Sequence, residues 1–379
     1  MAKIKILYII TNLALGGAQK NALYMAEHLD SCKYEKHFIS APQGALFEDT
    51  GQYKQIKFYF LPYLKRQISP IHDFLAFLAI RRYIKKHKIT IVHTHSSKAG
   101  IIGRWAAKAA RVSMIFHTIH GWSFNDYLPG FLKGVYVFIE KLTAKITMCM
   151  IAVSKQDIKK GLAHKIGQPQ QYKLIHYGIE INKFYKHSFQ KKERKELIVG
   201  MIACLKPQKN PLDFIKVAEI ISRDNKKVKF KIIGDGVLKR KLEKEIMIRG
   251  LSEQVDLLGW RRDIPELINQ IDIVVLTSLW EGLPIALLEA MATAKPIVAY
   301  DTDGICEAVQ HGLSGFICPK NDINSLADNI KKLLNDLILL ENMGGQGYQL
   351  ICDSDFNSGA MMQSIEGLYV DMSKNKKID

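Results

Sequence analysis

Ile4-Lys5-Ile6-Leu7-Tyr8-Ile9-Ile10-Thr11-Asn12-Leu13-Ala14-Leu15-Gly16-Gly17-Ala18-Gln19 opens on a β-rich apolar run and breaks at two glycines into a helical pattern. Strand, tight turn and helix in that order form the first unit of a parallel sheet wrapped by helices. The alternation continues with apolar runs at His37–Ser40, Ile89–Thr94, Met114–Thr118 and Met150–Val153. It pauses at residues 183–196, Lys-Phe-Tyr-Lys-His-Ser-Phe-Gln-Lys-Lys-Glu-Arg-Lys-Glu, too charged for a core element and read as a linker. A second series follows at Leu197–Ile202, Val228–Ile233, Val255–Leu258, Ile273–Leu276 and Pro296–Ala299. The expected fold is α/β: two tandem doubly wound, Rossmann-like domains facing a cleft, since such sheets bind ligands at the carboxyl ends of their strands. The first domain is expected over 1–182 and the second over 197–355, with 356–379 a C-terminal helix or tail packing back on the first.

A chain of 379 residues, 47% hydrophobic and 24% charged, is of a length at which one core splits into two. No stretch approaches the ~18 to 20 uncharged apolar residues of a spanning helix. The most apolar runs are cut by Lys133, Lys141 and Lys145, or by Arg81 and Arg82. The N-terminus has the charged and apolar parts of a signal peptide without a cleavage site, so it is read as a buried strand. The six cysteines are scattered, with no C-x-x-C pair, which fits reduced thiols in the cytosol and argues against structural zinc.

The net charge of +17 is lopsided. Residues 1–190 hold 28 Lys and Arg against 10 Asp and Glu, whereas residues 191–379 hold 26 against 27. A basic first half attracts anions: phosphate backbones, acidic lipid headgroups or a diphosphate-linked substrate. A solubilising Lys-rich coat reads the same way. Within that half, Leu64 to Lys88 carries Lys65, Arg66, Arg81, Arg82, Lys85, Lys86 and Lys88 around the apolar run 74–80, a composition suited to an anionic bilayer as well as to a buried helix with a Lys-rich end.

Gly16 and Gly17 allow close approach of a ligand to the backbone, and the helix N-terminus behind them offers N–H groups to phosphate. The loop is neither G-x-G-x-x-G nor a P-loop, so a plain tight turn stays open. The strongest signal is Ser278-Leu279-Trp280-Glu281-Gly282-Leu283-Pro284-Ile285-Ala286-Leu287-Leu288-Glu289-Ala290-Met291-Ala292. Glu281 lies in a loop after a strand, Pro284 suits a first helical turn, and Glu289 falls within an otherwise apolar helix. A carboxylate there requires a hydrogen-bonding partner, and sugar hydroxyls serve.

This stretch, the Gly-Gly-Ala-Gln loop, His93-Thr94-His95-Ser96-Ser97-Lys98-Ala99-Gly100 and the pair His120-Gly121 together resemble glycosyltransferase family 4, retaining enzymes of the two-domain GT-B fold. The resemblance covers nearly the whole chain and is nearest to enzymes that build capsule, lipopolysaccharide or other surface glycans on a lipid carrier. It implies a hexosyltransferase that moves a sugar from a nucleotide-sugar donor, with uridine taken as the base, to a glycan or lipid-diphosphate-linked acceptor. The first domain would bind the acceptor and the second the donor, closing over it to exclude water. Glu281 would bind donor-sugar hydroxyls, Glu289 the ribose, and the backbone N–H groups around Gly282 to Ile285, a stretch that includes Leu283 and Pro284, would face the diphosphate. Lys209 would neutralise the leaving diphosphate, and His120 would stand beside the donor sugar, with His93 and His95 as core or supporting residues. Gly16 and Gly17 would belong to the donor site as well.

Two positions depart from the family pattern. Gly-Arg-Leu is replaced by Ala203-Cys204-Leu205, which removes an arginine of the phosphate clamp and leaves Lys206 as the substitute. Asn-Gly-Val-Asp is replaced by Tyr177-Gly178-Ile179-Glu180, after His176. His93, His95, His117 and His120 invite a metal site, yet no acidic or H-E-x-x-H partner accompanies them, and the resemblance implies no metal or other cofactor. The expected location is cytoplasmic, peripheral on the inner face of the cytoplasmic membrane. A nucleotide-sugar 2-epimerase of similar fold is the alternative enzyme. A non-catalytic or nucleic-acid-binding protein rests only on the basic half, without a binding motif, so no nucleic-acid partner is expected.

Overall fold

The computed structural model describes residues 3–185 and 196–374, which form two compact units. The first comprises residues up to His176 together with those from Gly359 onward, and the second Tyr177–Ser358. The first unit contains β1 (Ile4–Ile9), α1 (Gly17–His28), β2 (Tyr34–Ser40), β3 (Ile56–Phe60), α2 (Pro70–His87), β4 (Ile91–His95), α3 (Ser97–Ala109), β5 (Met114–Ile119), α4 (Gly130–Ala144), β6 (Cys149–Ala152), α5 (Lys155–Ala163) and β7 (Tyr172–Leu174). The second contains α6 (Ile181–Tyr185), β8 (Ile198–Ile202), α7 (Pro211–Asp224), β9 (Lys229–Ile233), α8 (Lys239–Ile248), β10 (Val255–Leu257), α9 (Ile264–Gln270), β11 (Ile273–Leu276), α10 (Ile285–Ala292), β12 (Ile297–Tyr300), α11 (Ile305–Ala308), β13 (Gly315–Cys318), α12 (Ile323–Asn335) and α13 (Leu337–Cys352). Helix α14 (Ser358–Lys374) ends the described chain.

Both sheets are parallel. Their orders are β3-β2-β1-β4-β5-β6-β7 and β10-β9-β8-β11-β12-β13, the doubly wound pattern in which direction reverses between β1 and β4 and between β8 and β11. Central strands are buried on both faces, which is why they read as continuous apolar runs rather than alternating ones. Edge strand β3 has one buried residue and alternates to solvent, so its sequence Ile-Lys-Phe-Tyr-Phe gave no run of the expected kind. Strands β7 and β13 are also absent from the sequence reading.

One core of the first unit packs α1 and α14 against the sheet: Met361, Ile365, Leu368 and Tyr369 of α14 join Ile6, Tyr8, Leu23 and Met25. The opposite face is covered by α2 and α3, through Ala76, Ile80, Ile84, Ala99 and Ala106 against Leu7, Ile9, Val92 and Ile115. The boundaries differ from those expected at 182 and 355. Residues 177–182 belong to the second unit because Ile179 donates to Phe356 O at 2.8 Å and accepts from Ser358 N at 3.1 Å, a parallel bridge at the side of that unit. Gly178 makes the approach possible, since a Cβ there would lie 2.5 Å from Ser358 Cα. Of the expected linker, 183–185 are the end of α6, and 186–195 lie outside the described residues. The basic helix begins at Pro70 rather than near Leu64, whose side chain is buried.

Candidate active site

In the second unit, the loops after β8 and β11 start from the two strands where the sheet order reverses, the position at which crossovers part and leave a crevice. Lys209 stands in the first loop and Glu281 in the second, and Lys209 Nζ forms a salt bridge with the Glu281 carboxylate. The pairing is the product of backbone that is fixed on three sides. Pro207–Lys209 makes one 3-10 turn, and Asn210, in the left-handed region at φ 45°, redirects the chain so that Pro211 can begin α7. The buried Thr277 hydroxyl lies 2.9 Å from the carbonyls of both Lys209 and Asn210. Leu279 N–H donates to Gln208 O at 2.8 Å, and the Gln208 amide donates to Trp280 O at 2.7 Å.

The other side of the Glu281 loop is held by residues that the sequence reading passed over. Asp303 accepts a hydrogen bond from Glu281 N–H at 2.8 Å, and Gly304 N–H donates to Gly282 O at 3.0 Å. Asp303 has φ 35°, a conformation that a short polar side chain tolerates and most residues avoid. The loop carrying Lys206 is seated on Gly234-Asp235-Gly236 after β9. A Cβ at Gly234 would lie 1.9 Å from Ala203 O and one at Gly236 2.5 Å from Leu205 O, so this contact admits glycine alone. A G-x-G directly after a strand was the available signal.

Pro284 is the cap preceding α10 rather than a member of its first turn, and Gly282, Leu283 and Pro284 are buried. Ile285, partly buried, opens the helix. Glu289 lies in the helix and is buried among Leu287, Leu288, Ala290 and Met291. Lys206 and Cys204 are partly exposed, Cys204 as a free thiol.

In the first unit, Gly16 caps α1 with an extended backbone and Gly17 is its first residue, at the end of the loop that follows β1; the first turn of this helix contains no acidic residue. The four histidines lie on β4 and at the end of β5, and they divide between the sheet faces. His93 and His95, two residues apart on one strand, share a face and stack with centroids 4.5 Å apart. His93 bonds Tyr369 Oη at 2.5 Å through Nδ1 and Thr118 Oγ1 at 2.7 Å through Nε2, which makes it a core fastener between β4, β5 and α14. His117 faces the other way, 2.9 Å from Thr94 Oγ1, against Gly100, where a Cβ would meet its ring at 2.6 Å.

His95 Nδ1 lies 2.9 Å from His120 Nε2, with the rings stacked. Burial pushes His93 and His120 down to about 3 and holds His95 and His117 well below the ordinary imidazole range, so all four are neutral at pH 7. His95 Nε2 is buried with no hydrogen-bond partner. A bare acceptor is less costly there than an orphaned N–H, so His95 carries its proton on Nδ1 and donates it to His120 Nε2. His120 is then protonated on Nδ1 and neutral. Among the described residues no group of three or more His, Cys, Asp or Glu side chains is arranged to hold a metal ion.

The structure thus joins Lys209 to Glu281 directly and carries Lys206, Gly282, Leu283, Pro284, Ile285 and Glu289 on the same unit, while Gly16, Gly17 and His120 stand on the strand-end loops of the other. Residues 15–183 match the family described as Glycosyltransferase Family 4, and residues 183–350 match Glycosyl transferases group 1. The chain is 33% identical, over 99% of its length and 99% of the relative's, to a UDP-Gal:alpha-D-GlcNAc-diphosphoundecaprenol alpha-1,3-galactosyltransferase of Escherichia coli. It is 24% identical to the capsular polysaccharide biosynthesis glycosyltransferase CapM of Staphylococcus aureus, over 81% of this chain and 83% of that one. Among solved structures, Anabaena Alr3699/HepE in complex with UDP and glucose superimposes with a TM-score of 0.83 at 20% identity, covering 97% of this chain and all of that one, a likeness of fold.

Proposed function

The chain belongs to the family 4 glycosyltransferases, retaining enzymes of the GT-B class, and from that premise we propose that it transfers a hexose from a UDP-hexose to a polyprenyl-diphosphate-linked sugar during synthesis of a surface polysaccharide. UDP-galactose is the donor to test first, because the full-length E. coli relative is named for it. The observation that carries the reading is the Lys209–Glu281 pair at the reversal point of the second sheet, with Glu289 buried in the helix that follows.

In the proposed reaction the bond between the anomeric carbon and the diphosphate oxygen breaks, and the acceptor hydroxyl attacks the same face of the sugar. The departing phosphate oxygen takes the acceptor's proton, so no dedicated nucleophile is required. Lys209 offsets the charge that grows on the diphosphate, which is worth most in a site shielded from water. Lys206 adds the second positive charge where the arginine is missing, and the N–H groups at the start of α10 complete the cradle. Glu281 accepts from sugar hydroxyls, Glu289 from the ribose, and neutral His120 stands beside the donor sugar. These groups supply the charge balance without a metal ion, and excess chelator is expected to leave the rate unchanged.

A lipid-linked acceptor calls for work at a bilayer, and we assign it to the cytoplasmic face. The +18 balance of residues 1–190 (28 basic against 10 acidic) and the free cysteines support that assignment. No helix among the described residues is long and apolar enough to cross a membrane. The epimerase and nucleic-acid readings gain no supporting observation.

The test is transfer of radiolabelled hexose from UDP-galactose, UDP-glucose or UDP-GlcNAc to a polyprenyl-diphosphate N-acetylglucosamine, read as label in the lipid phase. Transfer from one donor is expected. Glu281→Ala should lower kcat by about 10² or more, and Glu289→Ala should chiefly raise KM for the donor. Acceptor-independent conversion of UDP-GlcNAc, or transfer from no donor, would overturn the proposal.

A further inference from the structure

Helix α4 is built with its apolar stripe facing outward. Phe131, Val135, Phe138 and Leu142 recur at spacings of four, three and four and so share one face, and Phe131 and Phe138 are 81% and 60% exposed. The opposite stripe, Val137, Glu140, Thr143 and Ala144, is buried. The roll of the helix is fixed by an ion pair: Arg104 of α3, fully buried, donates from Nη2 to Glu140 Oε2 at 2.8 Å and from Nε to Gly100 O at 3.0 Å. Turning the phenylalanines inward would strand two buried charges. Helix α3 also packs on α2, which exposes Ile71, Phe74, Leu75 and Leu78.

The ionisable groups around these stripes are mostly basic, and the acids beside them are each paired: Glu140 with Arg104, Asp73, between Ile71 and Phe74, with Lys98, and Asp126, ahead of α4, with Lys133. Lys141 and Lys145 lie beside the α4 stripe, and Arg82, Lys85 and Lys86 on the last turns of α2. Two apolar rows in a basic surround are what a layer of anionic headgroups over acyl chains complements. A second copy of the chain fits less well, because a two-fold contact would set the basic border against itself. At about 1.5 Å per residue, α4 is also too short to span a ~30 Å hydrocarbon core and must lie along it.

We propose that the outward faces of α4 and α2 form the surface by which this protein docks on a bilayer with anionic headgroups. The choice of a bilayer as occupant rests on the lipid-linked acceptor read above, whereas the surface itself rests on exposure and charge. The sequence pointed to the α2 region alone; α4 was passed over because its lysines interrupt the apolar run.

The test is sedimentation of the full chain with vesicles of phosphatidylcholine alone, or mixed equally with phosphatidylglycerol, in the absence of any sugar substrate. Binding to the mixed vesicles is expected, weakening as salt rises. Phe131→Ser with Phe138→Ser should lower the partition coefficient by about tenfold or more. Lys141→Glu with Lys145→Glu should lower it by at least about fivefold per residue, and this pair serves if the first variant fails to fold. Met247→Ser with Ile248→Ser, exposed apolar residues of the second unit, should leave partitioning unchanged. Equal binding to both vesicle types, no binding, or binding indifferent to the α4 changes would overturn the proposal. So would light scattering that shows a dimer dissociated by them, which would assign the face to a second copy. Because no donor or acceptor is present, failure here is separate from failure of the transfer assay.

Discussion

The two sheets reverse direction at equivalent places, yet their strand ends carry opposite chemistries. After β8 and β11 the groups are charged and paired, Lys209 with Glu281, on backbone pinned by Thr277, Gln208 and Asp303. At β4 and β5 they are four imidazoles held neutral by burial, beside a glycine loop after β1. The first half nevertheless carries the whole of the chain's net charge, +18 against −1 for the second. One topology therefore carries a charged, paired cluster in one unit, and in the other a neutral cluster inside a basic coat. Strand order fixes where a site can form, and the side chains decide what it does.

The largest expected effect would break the first unit alone. Arg104→Ala leaves Glu140 buried and unpaired and should cost about 3–5 kcal/mol in urea unfolding of that unit. The second unit's transition should stay in place; a parallel loss there would mean that the units do not unfold separately. Next is Lys209→Ala, which should reduce kcat by about 10² to 10³. An unchanged kcat would remove the charge-based account of the second unit.

Acid should separate the units as well. The histidines' pKa values are lower folded than unfolded, so their contribution is fully present above about 6.5, the unfolded value, and is lost as pH falls towards about 3. Hydrogen exchange at pH 4 to 5 should expose β4 and β5 before β8 and β11. Simultaneous loss would argue that the histidines do not set the acid response. The smallest effect is at Asp303. Asp303→Gly permits the backbone angle but deletes the bond to Glu281 N–H, and kcat should fall about threefold to tenfold; Asp303→Asn keeps an acceptor and should remain near wild type. If Asn and Gly behave alike, the bond does not position Glu281.

Much of this was legible in the chain because the physics is local. A buried parallel strand must be an apolar run, and a glycine turn before a helical pattern must be a strand-to-helix crossover, so the interior strands were placed within a residue or two, except β2, which begins three residues before the run read there. Glu281 and Glu289 stood out because carboxylates in apolar, glycine-punctuated surroundings require an explanation, whereas Lys209 came only from the resemblance to the family. What was missed depends on distance. Lys209 and Glu281 are 72 positions apart and meet only because β8 and β11 are neighbours. Asp303 looks like one more loop aspartate until β12 brings it under the Glu281 amide. The outward roll of α4 is set by Arg104 on another helix, and its own sequence, apolar on more than one side, does not say which side is covered.

By itself, then, the sequence determined most of the elements and the doubly wound class, because hydrophobic periodicity and turn chemistry act over a few residues, and its motifs carried the resemblance to the family. Tertiary structure alone decided which of those residues pair, which imidazoles face together and which apolar stripe is left to solvent, because those outcomes depend on strand order and helix roll, and these are fixed by contacts between segments far apart in the chain.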